Sequence, residues 1–592
     1  MIRTLLFLSC LICAMITVAH AQQEEILPPT QPWKGKSLSL VAKANDAWIT
    51  PTETSNFQNT PSHEETIAWL EKLCAASEVL DLTTVGHSAN GRKIVLVIAS
   101  TDPTSVKTSS KPNVFVQAGI HAGEIDGKDA GMMLLRDIAF GKKRDLLKNV
   151  NFLFIPILNV DGHERKSPFN RVNQRGPSNM GWRTNARNLN LNRDYMKLDT
   201  EEIRTVTTVM NDYNTAFYVD LHVTDGADYQ YDITYGYTGY SKSINAFLNT
   251  AIKPVLDKNL KDYGHIPGPL MFATNDRDFS QGNLDMPFGP RFSNNYGDLR
   301  RIPSILVENH SLKPFKQRVL GTYIFLEALL QAIGKEYASM KMAIEKDRNV
   351  RNESVVLTWT ATDKPDTMML AAIESRIEKS QVTNGDFVRW TGKTLTQKIP
   401  YIRYSKPGQS VARPKAYWIP ATHQEVISRL IMHGVQVEKI TTPTTVKVDL
   451  YRIDGHKFSN VPFEGHFSVT ATGTKRESHT EVFYHGSVRV STDQPLGDLA
   501  IHLLEPISPD SFFSWGFFPE IFTQTEYIEE YAIEPLARMM LAKDENLRKE
   551  FALKKQQDPK FLDDQRAVYT WFYERSPFVD GRYLLYPVGI EL

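Results

Sequence analysis

Val114-Phe115-Val116-Gln117-Ala118-Gly119-Ile120-His121-Ala122-Gly123-Glu124 is the stretch that decides how this chain reads. It starts as a short apolar run and ends on a histidine and an acid three residues apart. Consecutive apolar positions suit a strand covered on both faces, as in a parallel sheet. Three more such runs follow: 152–158 (FLFIPIL), 216–221 (AFYVDL) and 304–307 (SILV). Helical patterns occupy 126–140 and 200–212 between them and 317–346 after them. This alternation predicts an α/β domain with a mixed, mainly parallel sheet flanked by helices. Upstream, Ser62 followed by Glu65 predicts a capped helix start.

In open α/β sheets, ligands sit outside the carboxyl ends of the strands. The first run leads into His121 and Glu124, the third ends in Asp220-Leu221-His222, and the fourth ends at Glu308. Two imidazoles and one carboxylate are a catalytic zinc set that leaves a fourth position for water. The spacing alone is weak, because His502-Leu503-Leu504-Glu505 repeats it, and that copy reads as structural.

Residues of about 60–340 resemble the zinc carboxypeptidases, the carboxypeptidase A-like metallopeptidases. The resemblance rests on seven motifs in order: Gly86-His87-Ser88-Ala89-Asn90-Gly91-Arg92, His121-Ala122-Gly123-Glu124, Asn159-Val160-Asp161-Gly162, Trp182-Arg183, Leu191-Asn192-Arg193, Asp220-Leu221-His222 and Val307-Glu308. It implies one Zn2+ on His121, Glu124 and His222. It also implies that Glu308 takes the proton of a water acidified by zinc and passes it to the leaving amine. Arg183 would stabilise the oxyanion. Asn192 and the planar fork of Arg193 would hold a terminal carboxylate. Tyr296 is the candidate for the family's mobile substrate-binding tyrosine, with Tyr235, Tyr237 and Tyr240 in the same interval. The chain departs from the family at Asn190, where many relatives carry an aspartate that orients a zinc histidine. An amide accepts the same N–H bond but lends the ligand less basicity.

The remainder of the chain frames this site. At 592 residues the chain predicts two to four domains, at roughly 150 residues each. Lys plus Arg and Asp plus Glu both total 68, which argues against a nucleic-acid partner. Met1-Ile2-Arg3, the apolar 5–18 and Ala19-His20-Ala21 read as a secretory signal peptide over 1–21. Its removal takes Cys10 and Cys13 and leaves Cys74, a pattern suited to a secreted or periplasmic protein without a disulfide. No later apolar run is long enough to span a bilayer, so no stable membrane insertion is expected after cleavage. An N-terminal segment over 22–55 precedes a catalytic domain over 56–345, and no large inhibitory pro-domain is expected.

Residues 346–592 read as an accessory region, β-rich and then helical. Thr422 and Glu425 predict a capping box, 444–504 alternates like antiparallel strands, and 525–570 reads as helix. Trp418, Phe512, Phe513 and Trp515 could line a surface or pack in a core. The leading expectation is a secreted metallocarboxypeptidase acting on peptides or proteins with a free C-terminus. The alternatives are an amidohydrolase of the same family acting on peptidoglycan peptides or N-acyl amino acids, and a non-catalytic peptide-binding or adhesion protein.

Overall fold

The computed structural model describes residues 26–524 and 526–592; the expected signal peptide at 1–21 lies outside them. The apolar runs form the middle of an eight-stranded sheet. In chain order the strands are β1 (Leu80–His87), β2 (Lys93–Ala99), β3 (Asn113–Ala118), β4 (Asn151–Ile155), β5 (Thr215–Val223), β6 (Ile233–Gly236), β7 (Pro267–Pro269), β8 (Asn283–Asp285) and β9 (Ser304–Asn309). Their spatial order is β1-β2-β4-β3-β5-β9-β6-β7, with β8 outside this sheet. The centre, β4-β3-β5-β9, is parallel, while β1, β2 and β6 join antiparallel. Every residue of β3 and β4 is buried, as continuous apolar runs require.

Helices cover both faces. Asp126–Ala139 and the long helix Phe315–Arg348 pack with β3, β4 and β5 in one apolar core. The helix predicted after Ser62 spans His63–Ala75 and has the full capping box with Glu65. Glu201–Asp212 is capped by the Thr200 side chain.

The second core does not stop at the front half. Leu158, Leu191, Tyr195 and Tyr296 share it with Tyr417, Leu430, Val490 and Phe512 from the C-terminal half. Side chains of this size each contribute about 1.5–3 kcal/mol when buried, so a chain cut at 345 would expose a face that holds the front half together. The C-terminal half contains a six-stranded sheet with the hairpin Thr444–Phe458/Val469–Phe483 along one edge. A second long hairpin, Asp366–Lys379/Asp386–Pro407, pairs with β8. Helices Glu530–Lys543, Glu545–Gln557 and Gln565–Tyr573 form a small cluster of their own.

Two local expectations change. The helix Gln424–Met432 begins after a short 3-10 turn with no side-chain cap, so Thr422 and Glu425 form no capping box. Residues 497–504 are a helix rather than a strand. Trp418, Phe512, Phe513 and Trp515 are all buried, which assigns them to packing rather than to an exposed surface.

Candidate active site

The parallel centre brings three strand ends together. The turn after β3 carries His121 and Glu124, and Glu124 N–H donates to the His121 carbonyl at 2.9 Å, closing one tight turn. Gly123 lies between them because a Cβ there would meet the Gly181 carbonyl at 2.9 Å and Arg171 Cγ at 2.7 Å. His222 lies near the end of β5, and Glu308 pairs with it in register on β9. Among the described residues, His121, Glu124 and His222 are the group of His, Cys, Asp and Glu able to hold a metal, with donor atoms within 4.8 Å of one another.

The ring orientations fit a metal. Nδ1 of His121 and Nδ1 of His222 each lie 3.0 Å from a different oxygen of Glu124. The far nitrogens are tied down from behind. Nε2 of His121 is 2.9 Å from Asn190 Oδ1, and Nε2 of His222 is 2.6 Å from Asp220 Oδ2. Such outer partners fix which nitrogen is free to ligate. Asp220 is itself held by Gln117, whose amide donates to Oδ1 at 2.9 Å. The donor set, two backed imidazoles and one carboxylate, therefore suits zinc.

The charges are arranged to match. Burial opposes ionisation of Glu124, but the His121 and Arg171 charges outweigh it and hold the carboxyl well below its ordinary range. Burial pulls His121 down, toward the neutral form a metal needs. Burial acts the same way on His222, but the Asp220 carboxylate overrides it and raises His222 well above the usual histidine range. Burial pushes Glu308 up to about 8, with Glu124 adding to the shift and His222 opposing it. Its buried Oε2 has no hydrogen-bond partner among the described residues. A carboxyl poised near neutrality with an unused oxygen is what a general base needs.

The cationic residues ring this centre. Arg183 Nη1 reaches Glu124 Oε1 at 3.1 Å and Asp225 at 3.2 Å, with about a third of its side chain exposed (34%). Asn192 places its amide nitrogen 3.4 Å from His222 Nε2 and accepts the Ser293 N–H at 2.9 Å. Arg193 stands over the Phe292 ring at 4.3 Å, and burial followed by the Arg183 charge lowers it to about 10. Elsewhere the motifs clamp the scaffold. Arg92 pairs with Asp161 at 2.5 Å, which joins the turn after β1 to the turn after β4.

One expected residue is not at the site. Tyr296 lies in the helix Ser293–Leu299 and is fully buried. Its hydroxyl is 2.8 Å from His433 Nδ1 and accepts from Arg300 at 3.0 Å. A tyrosine locked in the shared core cannot swing onto a substrate, so the mobile role is withdrawn from Tyr296. Tyr235 is also buried, donating to Asp257 at 2.5 Å. Conversely, sequence reading missed Arg171, whose Nη1 lies 3.0 Å from Glu124 Oε1, because it stands in no motif. The second H-x-x-E copy sits on the helix Gly497–Leu504 and its cap. Glu505 there accepts the Tyr417 hydroxyl at 2.6 Å.

Residues 66–264 match the zinc carboxypeptidase family. Carboxypeptidase 2 of Trichophyton tonsurans is 23% identical over 461 residues, covering 73% of this chain and 79% of that protein. Carboxypeptidase 2 of Trichophyton equinum is 24% identical over 506 residues, covering 79% of this chain and 86% of that protein. Both cover more of this chain than the 345 residues of its front half, and so take in part of the C-terminal half. Among solved structures, carboxypeptidase A from Helicoverpa armigera superposes with a TM-score of 0.36 at 18% identity, covering 56% of this chain and 81% of that one.

Proposed function

This chain carries a zinc carboxypeptidase domain, matched over residues 66–264, and from that premise we propose that it is a secreted metallocarboxypeptidase that removes the C-terminal residue of peptides or proteins. The observation that carries the reading is the convergence of His121, Glu124 and His222 beside Glu308 at the carboxyl ends of β3, β5 and β9.

When bound, zinc acts as a Lewis acid that acidifies water and polarises the scissile carbonyl. Glu308, raised toward neutrality by burial, accepts the proton of the attacking water and returns it to the departing amine. Arg183 is partly exposed beside Glu124 and offers its guanidinium to the oxygen on which charge develops. Arg193 is without a carboxylate partner within salt-bridge distance among the described residues, and Asn192 lies next to it. The two would take a free C-terminal carboxylate, and Phe292 lies under the guanidinium. Next to Arg193 opens a cavity of about 320 Å³ walled by Tyr240 and Phe292 from the front half and by Trp359, His502 and Asp510 from the back half. It offers room for the side chain of the residue to be released.

The amino-terminal signal pattern supports export. No helix among the described residues is long and apolar enough to cross a membrane. A panel of peptides with free and amidated C-termini, assayed on wild type and Glu308→Gln, tests the reading. Cleavage restricted to free C-termini is expected, with a loss of about 100- to 10,000-fold in kcat for the variant. Equal cleavage of amidated peptides would exclude the carboxypeptidase assignment, and an N-acyl amino acid hydrolysed in preference to peptides would favour the amidohydrolase alternative. An unchanged kcat in the variant would remove Glu308 from the mechanism.

A further inference from the structure

One turn of the C-terminal half reaches Asn190, the residue behind His121. The tip of a turn, Phe463-Glu464-Gly465-His466, is closed by backbone bonds in both directions between Phe463 and His466, at 2.8 and 3.1 Å. Both central residues have positive φ, +49° at Glu464 and +83° at Gly465. A two-residue turn of this kind favours Asn, Asp or Gly at its first central position, because a longer side chain there is strained. Glu464 is a poor choice for the turn itself. A strained residue held in place by its surroundings points to a role outside the turn.

Its carboxylate supplies one. Glu464 Oε2 accepts the backbone N–H of Asn190 at 2.7 Å. Asn190 is the residue whose Oδ1 faces Nε2 of His121 at 2.9 Å and accepts the N–H of Asn192 at 3.0 Å. One amide thus orients His121 and fixes the backbone of Asn192, and Glu464 pins that amide's own peptide. The Glu464 charge also acts on Arg193, opposing the effects of burial and of Arg183. The rest of the tip is firmly seated. His466 Nε2 pairs with Asp199 at 2.7 Å, and Phe463 stacks on Trp515 at 6.1 Å and 12°.

We propose that Glu464, delivered by the C-terminal half, is a positioning residue for both the zinc centre and the carboxylate clamp, acting through Asn190. This chain carries an amide at the position behind His121, and the acceptor that holds its peptide comes from outside the front half. The C-terminal half is then part of the catalytic unit rather than an appendage.

The inference rests on the reading of His121, Glu124 and His222 as zinc ligands, and the test separates the two. Zinc affinity is measured by competition with a chromophoric chelator on the full-length chain, alongside melting temperature and steady-state kinetics on a free-C-terminus peptide. Glu464→Gly relieves the backbone strain, so its melting temperature is expected to hold or rise. Its zinc affinity should fall about 3- to 10-fold, less than the 10- to 100-fold typical of a direct partner of a ligand, and its KM should rise. Glu464→Gln keeps an acceptor oxygen and should restore zinc affinity to within about twofold of wild type. His466→Gln loosens the same tip without touching Asn190 and should leave zinc affinity at the wild-type value. Unchanged zinc affinity and KM in Glu464→Gly, or an equal loss in His466→Gln, would overturn the proposal. Failure of the wild type itself to bind zinc would instead overturn the assignment of the ligands.

Discussion

The chain carries the same four-residue spacing twice, and the two copies do different things. His121 and Glu124 sit in a turn beyond β3, where the sheet's carboxyl end leaves room for a third donor, His222, from the neighbouring strand. His502 and Glu505 sit at the end of the helix Gly497–Leu504, packed against Tyr240 and Tyr417, with no third ligand gathered around them among the described residues. Both copies are buried. What separates them is what stands behind each side chain. At the first, Asn190 and Asp220 take the far ring nitrogens and turn the near ones toward Glu124. At the second, Glu505 turns one carboxylate oxygen to a tyrosine hydroxyl. A spacing becomes a metal site when the fold supplies a third donor and an outer layer that aims all three.

The sharpest way to break this contrast is to weaken each copy's backing in turn. Asp220→Asn removes the charge behind His222 and is expected to lower zinc affinity about 10- to 100-fold, read by chelator competition. Tyr417→Phe strips Glu505 of its partner and should cost about 1–3 kcal/mol of stability in urea unfolding, with zinc affinity unchanged. A zinc loss in the second variant would dissolve the distinction.

Tyr296→Phe is the next smaller test. It loses the hydroxyl's bond to His433 across the two halves, so about 1 kcal/mol of stability should go. The kcat and KM should stay at wild-type values, whereas a raised KM would return Tyr296 to the substrate.

A last effect is on pH dependence. Burial pulls His502 down to about 4, opposed by Asp498 and the Val356 carbonyl and reinforced by Arg301. In the unfolded chain this histidine takes up a proton near pH 6.5. Between those values protonation favours unfolding, so its contribution is intact above about pH 6.5 and is lost as pH falls toward 4. The urea midpoint of His502→Gln should therefore decline less steeply over that window than that of wild type. Part of the decline remains, because burial likewise depresses His163 and His433 to about 3.

The legible parts of this molecule are those in which local pattern and three-dimensional role coincide. The runs at 114–117 and 152–158 are apolar because both faces of those strands are covered, and the first leads straight into His121 and Glu124. The hairpin at 366–407 gave no such signal. Most of its residues are exposed or half-buried, so neither strand needs a continuous or strictly alternating apolar pattern. Arg171 escaped notice because it reaches Glu124 from a loop without motif or period. Tyr296 was misplaced by proximity in sequence, although its position in a short helix three residues before Leu299 is the spacing of a core-facing side. Glu464 could not be found from sequence at all, since its partner Asn190 lies 274 residues away.

The most direct test of the central claim is the zinc content of the purified full-length chain and of two variants. Elemental analysis is expected to give one zinc per chain for wild type and for His502→Ala, and none for His121→Ala. Zinc retained at full occupancy in His121→Ala, or lost in His502→Ala, would contradict the assignment of the metal centre to the carboxyl end of the central sheet.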